Sequence, residues 1–161
     1  MAPSTNSKKT IKDVVIKDVI RHSDDRGFFS EIVKEGEQSF KGPIRQTSTT
    51  TTYPGIIKAF HYHKKQWDIW HVIKGSARVV LYDTRKDSPT YKVTNVFYVG
   101  ENNPMVIAIP PLVLHGYQVL GNENLTLLYH TTQAYNSDKP DEYRIAFDDP
   151  AIGFDWSIKN R

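Results

Sequence analysis

The chain has 161 residues, no cysteine and a formal net charge of +3. This length suits one ordinary domain with its own core, and the lack of cysteine excludes disulfides, thiolate metal sites and a cysteine nucleophile. A content of 39% hydrophobic and 12% aromatic residues is not that of a disordered chain. No signal peptide, membrane span or basic arm is visible. We therefore expect a cytoplasmic single domain over 1–161, with a disordered tail at 1–10, that binds neither nucleic acid nor membrane.

Short runs of β-branched and aromatic residues fill the chain, whereas helical periodicity is hard to find. Glycine, asparagine or proline bounds the later runs. Spacings of about 8 to 12 residues between short strands indicate a sandwich or barrel. From Asp138 onward we expect a loop and a tail, with Trp156 near its end, that pack on the barrel. Strands are predicted at 14–16, 19–20, 28–33, 47–52, 69–74, 77–83, 93–99, 105–109, 117–120 and 125–131, and 69–74 with 77–83 are expected to form a hairpin about Gly75.

Histidines provide the first functional signal. Side chains alternate along a strand, so His61 and His63 point to the same face. Asp68 follows, and His115 comes just after a proline-bounded turn. Inward side chains of facing strands meet in a small barrel, so these four residues are expected to converge. The alternative is that each histidine is separately hydrogen-bonded.

The spacing G-x5-H-x-H-x4-D-x6-G, followed by P-x4-H, resembles the two motifs of the cupin superfamily. This resemblance implies an all-β, double-stranded β-helix, which is a jelly-roll barrel with its site at one end. By strand parity His71 is expected to face away from Asp68. Lys58 is expected to share the face of Phe60, not that of His61.

Tyr129 ends an apolar run and is the next candidate. A buried tyrosine ring usually needs a partner for its hydroxyl, and core packing alone would explain this one. If Tyr129 lies near His61, the two side chains would supply a general acid and a general base on opposite sides of a substrate carbon.

Further segments resemble the dTDP-4-dehydrorhamnose 3,5-epimerase family, cupin-fold enzymes of nucleotide-deoxysugar synthesis. The similarity of order and spacing extends over roughly residues 12 to 157. The matching stretches are DRGFFSE at 25–31, GIIKAFHY at 55–62, DTRKDSPTY at 83–91, PPLVLHGY at 110–117, and DP with IGFDW at 149–156.

The resemblance implies a role for each matching residue. His61 would remove the proton next to the C4 ketone of a nucleotide-linked 4-keto-6-deoxy sugar, and Tyr129 would return a proton to the opposite face. His115 would lie near the sugar, and no cofactor would be needed. The positions that would hold the substrate are Arg26, Phe29, Glu31, Gln46, Lys58, His63 and Tyr135, with the first three often supplied by the partner subunit of a homodimer.

Two departures from the family pattern keep a second hypothesis open. Lys58 replaces an arginine, and Asp68 replaces the lysine that helps to stabilise the enolate. In a metal-free site, which we favour, Asp68 would hydrogen-bond an imidazole and fix its tautomer. In the alternative, His61, His63, Asp68 and His115 bind a metal, and the protein is an oxygenase, a metal-assisted isomerase or a sugar-binding module.

Overall fold

The computed structural model describes residues 9–36 and 41–159. Residues 1–8 of the predicted tail therefore lie outside the described residues, while Lys9 and Thr10 are exposed and have no regular structure. Every regular element among the described residues is a β-strand. The strands are β1 (Val15–Asp18), β2 (His22–Asp24), β3 (Gly27–Phe29), β4 (Gln46–Thr52), β5 (Ile57–Tyr62), β6 (Asp68–Lys74), β7 (Ser76–Asp83), β8 (Thr94–Gly100), β9 (Met105–Ile109), β10 (Val113–Leu120), β11 (Leu125–Thr131) and β12 (Tyr143–Arg144).

Ten of these strands form two five-stranded antiparallel sheets. The first has the order β1-β9-β6-β11-β4, and the second has the order β12-β5-β10-β7-β8. β2 and β3 form a separate hairpin. Strands that are adjacent in sequence mostly lie in different sheets, which is the topology of a jelly roll. The predicted all-β jelly-roll barrel is confirmed.

The main core lies between the sheets and contains large side chains from both. Trp70 and Ile107 of the first sheet pack with Leu81 and Tyr117 of the second. Burying each such side chain stabilises the fold by roughly 1.5–3 kcal/mol. Their packing closes one part of the barrel and leaves a cavity elsewhere between the sheets.

Two smaller clusters cover the outer faces of the sheets. Trp156 packs on Phe60 with a ring-centroid separation of 5.5 Å, and its indole N–H donates to the Phe147 carbonyl at 2.9 Å. The predicted packing of the C-terminal segment on the barrel is therefore correct. Val19 covers the other sheet beside Ile69.

The strand predicted at 19–20 does not form, because β1 ends at Asp18. Most other predicted strands agree with the structure, but three further local predictions are wrong. The run 28–33 is a strand only to Phe29, because Ile32 and Val33 pack on the outer cluster without a strand partner. The strand predicted at 117–120 begins at Val113, so His115 lies within it.

The third error is the hairpin about Gly75. β6 pairs with β9 and β11, whereas β7 pairs with β8 and β10, so the turn passes from one sheet to the other. Gly75 has a φ of 78°, and a Cβ there would lie 2.8 Å from the Asn124 carbonyl oxygen. This tight turn needs glycine, and the alternating pattern of the flanking strands could not distinguish a turn within one sheet from a crossing between two.

No helix formed by the described residues is long and apolar enough to cross a membrane.

Candidate active site

Strands of both sheets bring the predicted histidines and the aspartate together. His61 on β5 is the register partner of His115 on β10. Asp68 begins β6 in the opposite sheet, and His63 follows the end of β5. A ring nitrogen from each histidine and a carboxylate oxygen of the aspartate all lie within 4.8 Å of one another. The predicted convergence is therefore observed.

Asp68 lies at the centre of this cluster. Its Oδ1 is 3.4 Å from Nε2 of His63, and its Oδ2 is 3.5 Å from Nε2 of His115. Gln66 donates to Oδ1 at 2.7 Å, and the indole N–H of Trp70 donates to Oδ2 at 3.2 Å. Two neutral donors thus fix the orientation of a carboxylate that is only 3% exposed.

Backbone carbonyls fix two of the imidazoles. Nδ1 of His115 lies 2.9 Å from the Val113 carbonyl oxygen, and Nδ1 of His63 bonds the Asp141 carbonyl oxygen. The Asp141 side chain accepts from the backbone N–H groups of residues 64, 65 and 66, and so holds the loop that carries Gln66. His61 differs, since its ring has no hydrogen bond to any described residue and lies 4.1 Å from the His115 ring between centroids.

The charges of the cluster follow from burial and from these contacts. Burial, followed by the neighbouring His115, lowers the pKa of His61 to about 2, so this imidazole is neutral. Burial opposes a charge on Asp68, but the nearby histidines outweigh it and hold the pKa of its carboxyl well below the usual value. Burial likewise opposes protonation of His63, but Asp68 and the Asp141 carbonyl raise its pKa.

The cluster opens into a cavity of about 1030 Å³ between the sheets. This volume is at the upper end of the usual range for a small-molecule site. His115 lies behind the cavity wall, fully buried against Asp68. The cavity is lined by seven of the eleven residues predicted from the sequence, namely Gln46, Lys58, His61, His63, Asp68, Tyr129 and Tyr135.

Lys58 reaches the cavity in spite of its strand parity. Lys58 pairs with Tyr117, and His61 pairs with His115. The two paired positions are therefore three residues apart on β5 but only two apart on β10. This bulge turns Lys58 and His61 to the same side, and Lys58 donates to Thr50 Oγ1 at 3.0 Å. The prediction that Lys58 shares the face of Phe60 is therefore wrong. At the bulge the strands approach closely, because a Cβ on Gly116 would lie 2.3 Å from that of Ala59.

Three predicted residues do not join the cavity within one chain. Arg26 and Phe29 belong to the exposed β2–β3 hairpin and its turn, and Glu31 follows it. Phe29 is 64% exposed. His71 bonds the Met105 carbonyl through Nδ1 at 3.0 Å and lies outside the cluster, as its parity predicted.

Gln66, Trp70 and Asp141 hold the cluster but are not among the predicted site residues. Gln66 and Trp70 flank Asp68 at two residues on either side, so strand parity around Asp68 could have found them. Asp141 lies 75 or more residues from its partners, and no local pattern marks it.

A family model described as dTDP-4-dehydrorhamnose 3,5-epimerase matches residues 8–161. The chain belongs to this family. It is 52% identical over 151 residues to the spore coat polysaccharide biosynthesis protein SpsL of Bacillus subtilis. The alignment covers 94% of this chain and 99% of SpsL. It is 35% identical over 150 residues to the probable low-salt glycan biosynthesis epimerase Agl13 of Haloferax volcanii, with coverages of 92% and 96%.

Solved structures agree with this assignment at the level of the fold. A dTDP sugar isomerase from Desulfovibrio desulfuricans G20 matches with a TM-score of 0.83 at 22% identity, covering 91% of this chain and 92% of that one. A 3,5-epimerase from Legionella pneumophila matches with a TM-score of 0.81 at 23% identity, with coverages of 96% and 84%. The predicted family, fold and enzyme class, an epimerase of nucleotide-linked keto sugars, are confirmed.

Proposed function

We propose that His61 and Tyr129 are the base and the acid with which this protein epimerises a nucleotide-linked 4-keto-6-deoxy sugar. The observation that carries the proposal is their placement. His61 comes from β5 of one sheet and Tyr129 from β11 of the other, and both side chains line the same cavity. A sugar ring between the sheets would present its two faces to these two groups.

The chemistry needs only proton transfers. A base takes the proton from the carbon next to the ketone, and the electron pair moves onto the ketone oxygen to give an enolate. The acid then returns a proton to the same carbon from the other face. The Legionella relative was solved in complex with dTDP-4-keto-L-rhamnose, which supports this class of substrate.

Gln46 and Tyr135 form one wall of the proposed sugar site. The Gln46 side-chain oxygen accepts from the backbone N–H of Tyr135 at 2.8 Å, and its amide nitrogen donates to Ser48 Oγ at 3.1 Å. Gln46 is thus held from both sides. A fixed amide beside a mostly exposed tyrosine ring suits recognition of sugar hydroxyls.

We further propose that the protein is a homodimer in which the β2–β3 hairpin of one subunit reaches the other's cavity. Exposed Phe29 would stack on the nucleotide base, and the Arg26 guanidinium would contact the diphosphate. Light scattering at micromolar concentration tests the dimer. Arg26→Ala should weaken nucleoside diphosphate binding and leave proton transfer intact, and an unchanged dissociation constant would remove this role. A cytoplasmic location stays a prediction.

Proton exchange measured by NMR in deuterated buffer, with a panel of nucleotide-linked 4-keto sugars, tests the reaction. Wild-type protein should incorporate deuterium next to the ketone of at least one substrate, and His61→Asn should lower the rate by about 10²–10⁴-fold. Tyr129→Phe should spare exchange more than it spares inversion, because a different group returns the proton. Full exchange and full product formation by both variants would show that these residues are not the base and the acid.

A further inference from the structure

From the cluster geometry we infer that His63, Asp68 and His115 form a three-ligand site for a divalent first-row metal ion, with His61 left free beside it. The argument begins with Nδ1 of His63 and of His115. Each of these nitrogens faces a backbone carbonyl, which can only accept, so each must carry its proton there. In the neutral imidazole, Nε2 then carries a lone pair.

Three sets of lone pairs therefore converge on one buried point. Nε2 of His63 and Nε2 of His115 are buried and have no hydrogen-bond partner among the described residues. Both point at the Asp68 carboxylate, which is also an acceptor. Acceptors facing one another without a donor need a cation between them.

The separations between these atoms suit a metal ion better than a shared proton. The two Nε2–carboxylate distances are 3.4 and 3.5 Å, longer than the 2.7–3.2 Å of an ordinary hydrogen bond. Ligand atoms that surround a tetrahedral ion at about 2.0–2.1 Å lie about 3.3–3.4 Å from one another. These two separations are therefore close to those between the ligands of one ion.

The surroundings of the ligands have the features of a metal site. Ligating histidines donate their other ring nitrogen to a carbonyl or carboxylate, which fixes the tautomer, and ligating carboxylates are themselves hydrogen-bonded. His63 and His115 meet the first condition, and Asp68 meets the second through Gln66 and Trp70. Two imidazoles and one carboxylate without thiolate suit Fe(II), Mn(II), Co(II), Ni(II) or Zn(II).

His61 is set apart by the same criteria. Its ring has no carbonyl to fix a tautomer, and it is only half-buried where the other three are buried. It lines the cavity beside the ligands and keeps its role as the base. This part of the inference rests on the proposed function. A cation at the three-ligand site would polarise the substrate's ketone oxygen as a Lewis acid, supplying the positive charge that Asp68 itself cannot.

Metal content tests the site independently of activity. Untagged protein, purified without chelator, should contain about one equivalent of a first-row metal by mass spectrometry. Chelation should remove the metal and lower the melting temperature, and one equivalent of Mn(II), Zn(II) or Co(II) should restore it. The bound Co(II) should show d–d absorption. Less than about a tenth of an equivalent, with no change in melting temperature on adding any of these ions, would overturn the site.

Histidine variants test the ligand assignment. His63→Asn, Asp68→Asn and His115→Asn should each lower metal content at least tenfold. His130→Asn is the matched control, because His130 also has a buried Nε2 without a partner but lies outside the cluster. His61→Asn should keep the metal and lose proton exchange. If His61→Asn loses the metal as fully as the other three, the three-ligand assignment is wrong.

The metal site and the proposed function can fail separately. Full exchange by metal-depleted protein would overturn the catalytic role of the metal and leave the epimerase intact. Stoichiometric metal without exchange on any 4-keto sugar would overturn the proposed function and leave the site intact.

Discussion

Two buried aspartates show how differently this fold treats the same side chain. Asp83, at the end of β7, is 0% exposed, and Asp68, at the start of β6, is 3% exposed, so burial does not distinguish them. Asp83 accepts from the Arg85 backbone N–H, Nε and Nη2 at 2.8–3.0 Å. It also accepts from Ser88 and Thr90 at 2.7 and 2.6 Å.

Asp68 has no such set of donors. Its two donors within hydrogen-bond distance, Gln66 and Trp70, are neutral, and its other neighbours are the two histidine nitrogens that have no partner of their own. A carboxylate that is fully satisfied by a guanidinium and two hydroxyls holds a loop in place. A buried carboxylate that faces other unpaired acceptors indicates a binding site for a further group. The comparison therefore separates a structural aspartate from a functional one.

The largest expected effect is the loss of activity in Asp68→Asn. Removing the anion that anchors the cluster should slow proton exchange at least about 100-fold. Compared with metal-depleted wild type, the folded state should be equally or slightly more stable, since a buried charge is replaced by an amide. Exchange rates and denaturant unfolding on the same preparation measure both effects. If Asp68→Asn unfolds more readily than metal-depleted wild type, Asp68 is structural and the contrast with Asp83 is lost.

Asp83→Asn should have the opposite profile. Breaking its pair leaves Arg85, which is only 17% exposed, with Asp13 as its remaining carboxylate partner at 3.0 Å. The free energy of unfolding should fall by about 3 kcal/mol, the lower end for a broken buried pair, while the folded fraction keeps its exchange rate. Asp87→Asn, an exposed change in the same loop, should alter stability by less than about 0.5 kcal/mol.

Acid should weaken the contribution that Asp83 makes to stability. Burial favours the neutral acid, but Arg85, Thr90 and Ser88 hold the pKa of Asp83 well below its ordinary 3.8. A carboxyl whose folded-state pKa is depressed stabilises the fold above the ordinary value and loses that contribution as pH falls toward the depressed one. The stability difference between wild type and Asp83→Asn should thus be constant near neutral pH and shrink below about pH 4. A difference that stays constant to pH 2 would contradict this.

The partners of Asp83 could be predicted from the sequence more easily than those of Asp68, for a physical reason. Asp83 and its partners lie within nine residues, 83–91, so a local motif contains the whole site. Asp68 depends on His115 and on the Asp141 loop, contacts between segments that only the folded barrel brings together. Alternation still predicted the convergence of His61 and His63, because the period of two holds along most of a strand.

Parity failed where the strand departs from that period. The bulge between His61 and Lys58 is visible only in the pairing with β10, where Ala59 closely approaches Gly116. The prediction of a hairpin at Gly75 failed for a similar reason. Hydrophobic alternation indicates which side chains are buried but not which sheet a strand joins.

The smallest expected effect concerns two exposed lysines, one from each region. Lys58 lines the cavity and faces Thr50, whereas Lys86 lies in the exposed loop beside Asp83. An exposed cation at the mouth of a site for a sugar diphosphate contributes modest, salt-screened attraction. Lys58→Ala should therefore raise the dissociation constant of the nucleoside diphosphate about threefold to fivefold at low salt, and this effect should shrink at 1 M salt. Lys86→Ala should leave binding unchanged, and equal losses in both variants would mean that net charge alone, not the bulge that aims Lys58 into the cavity, attracts the ligand.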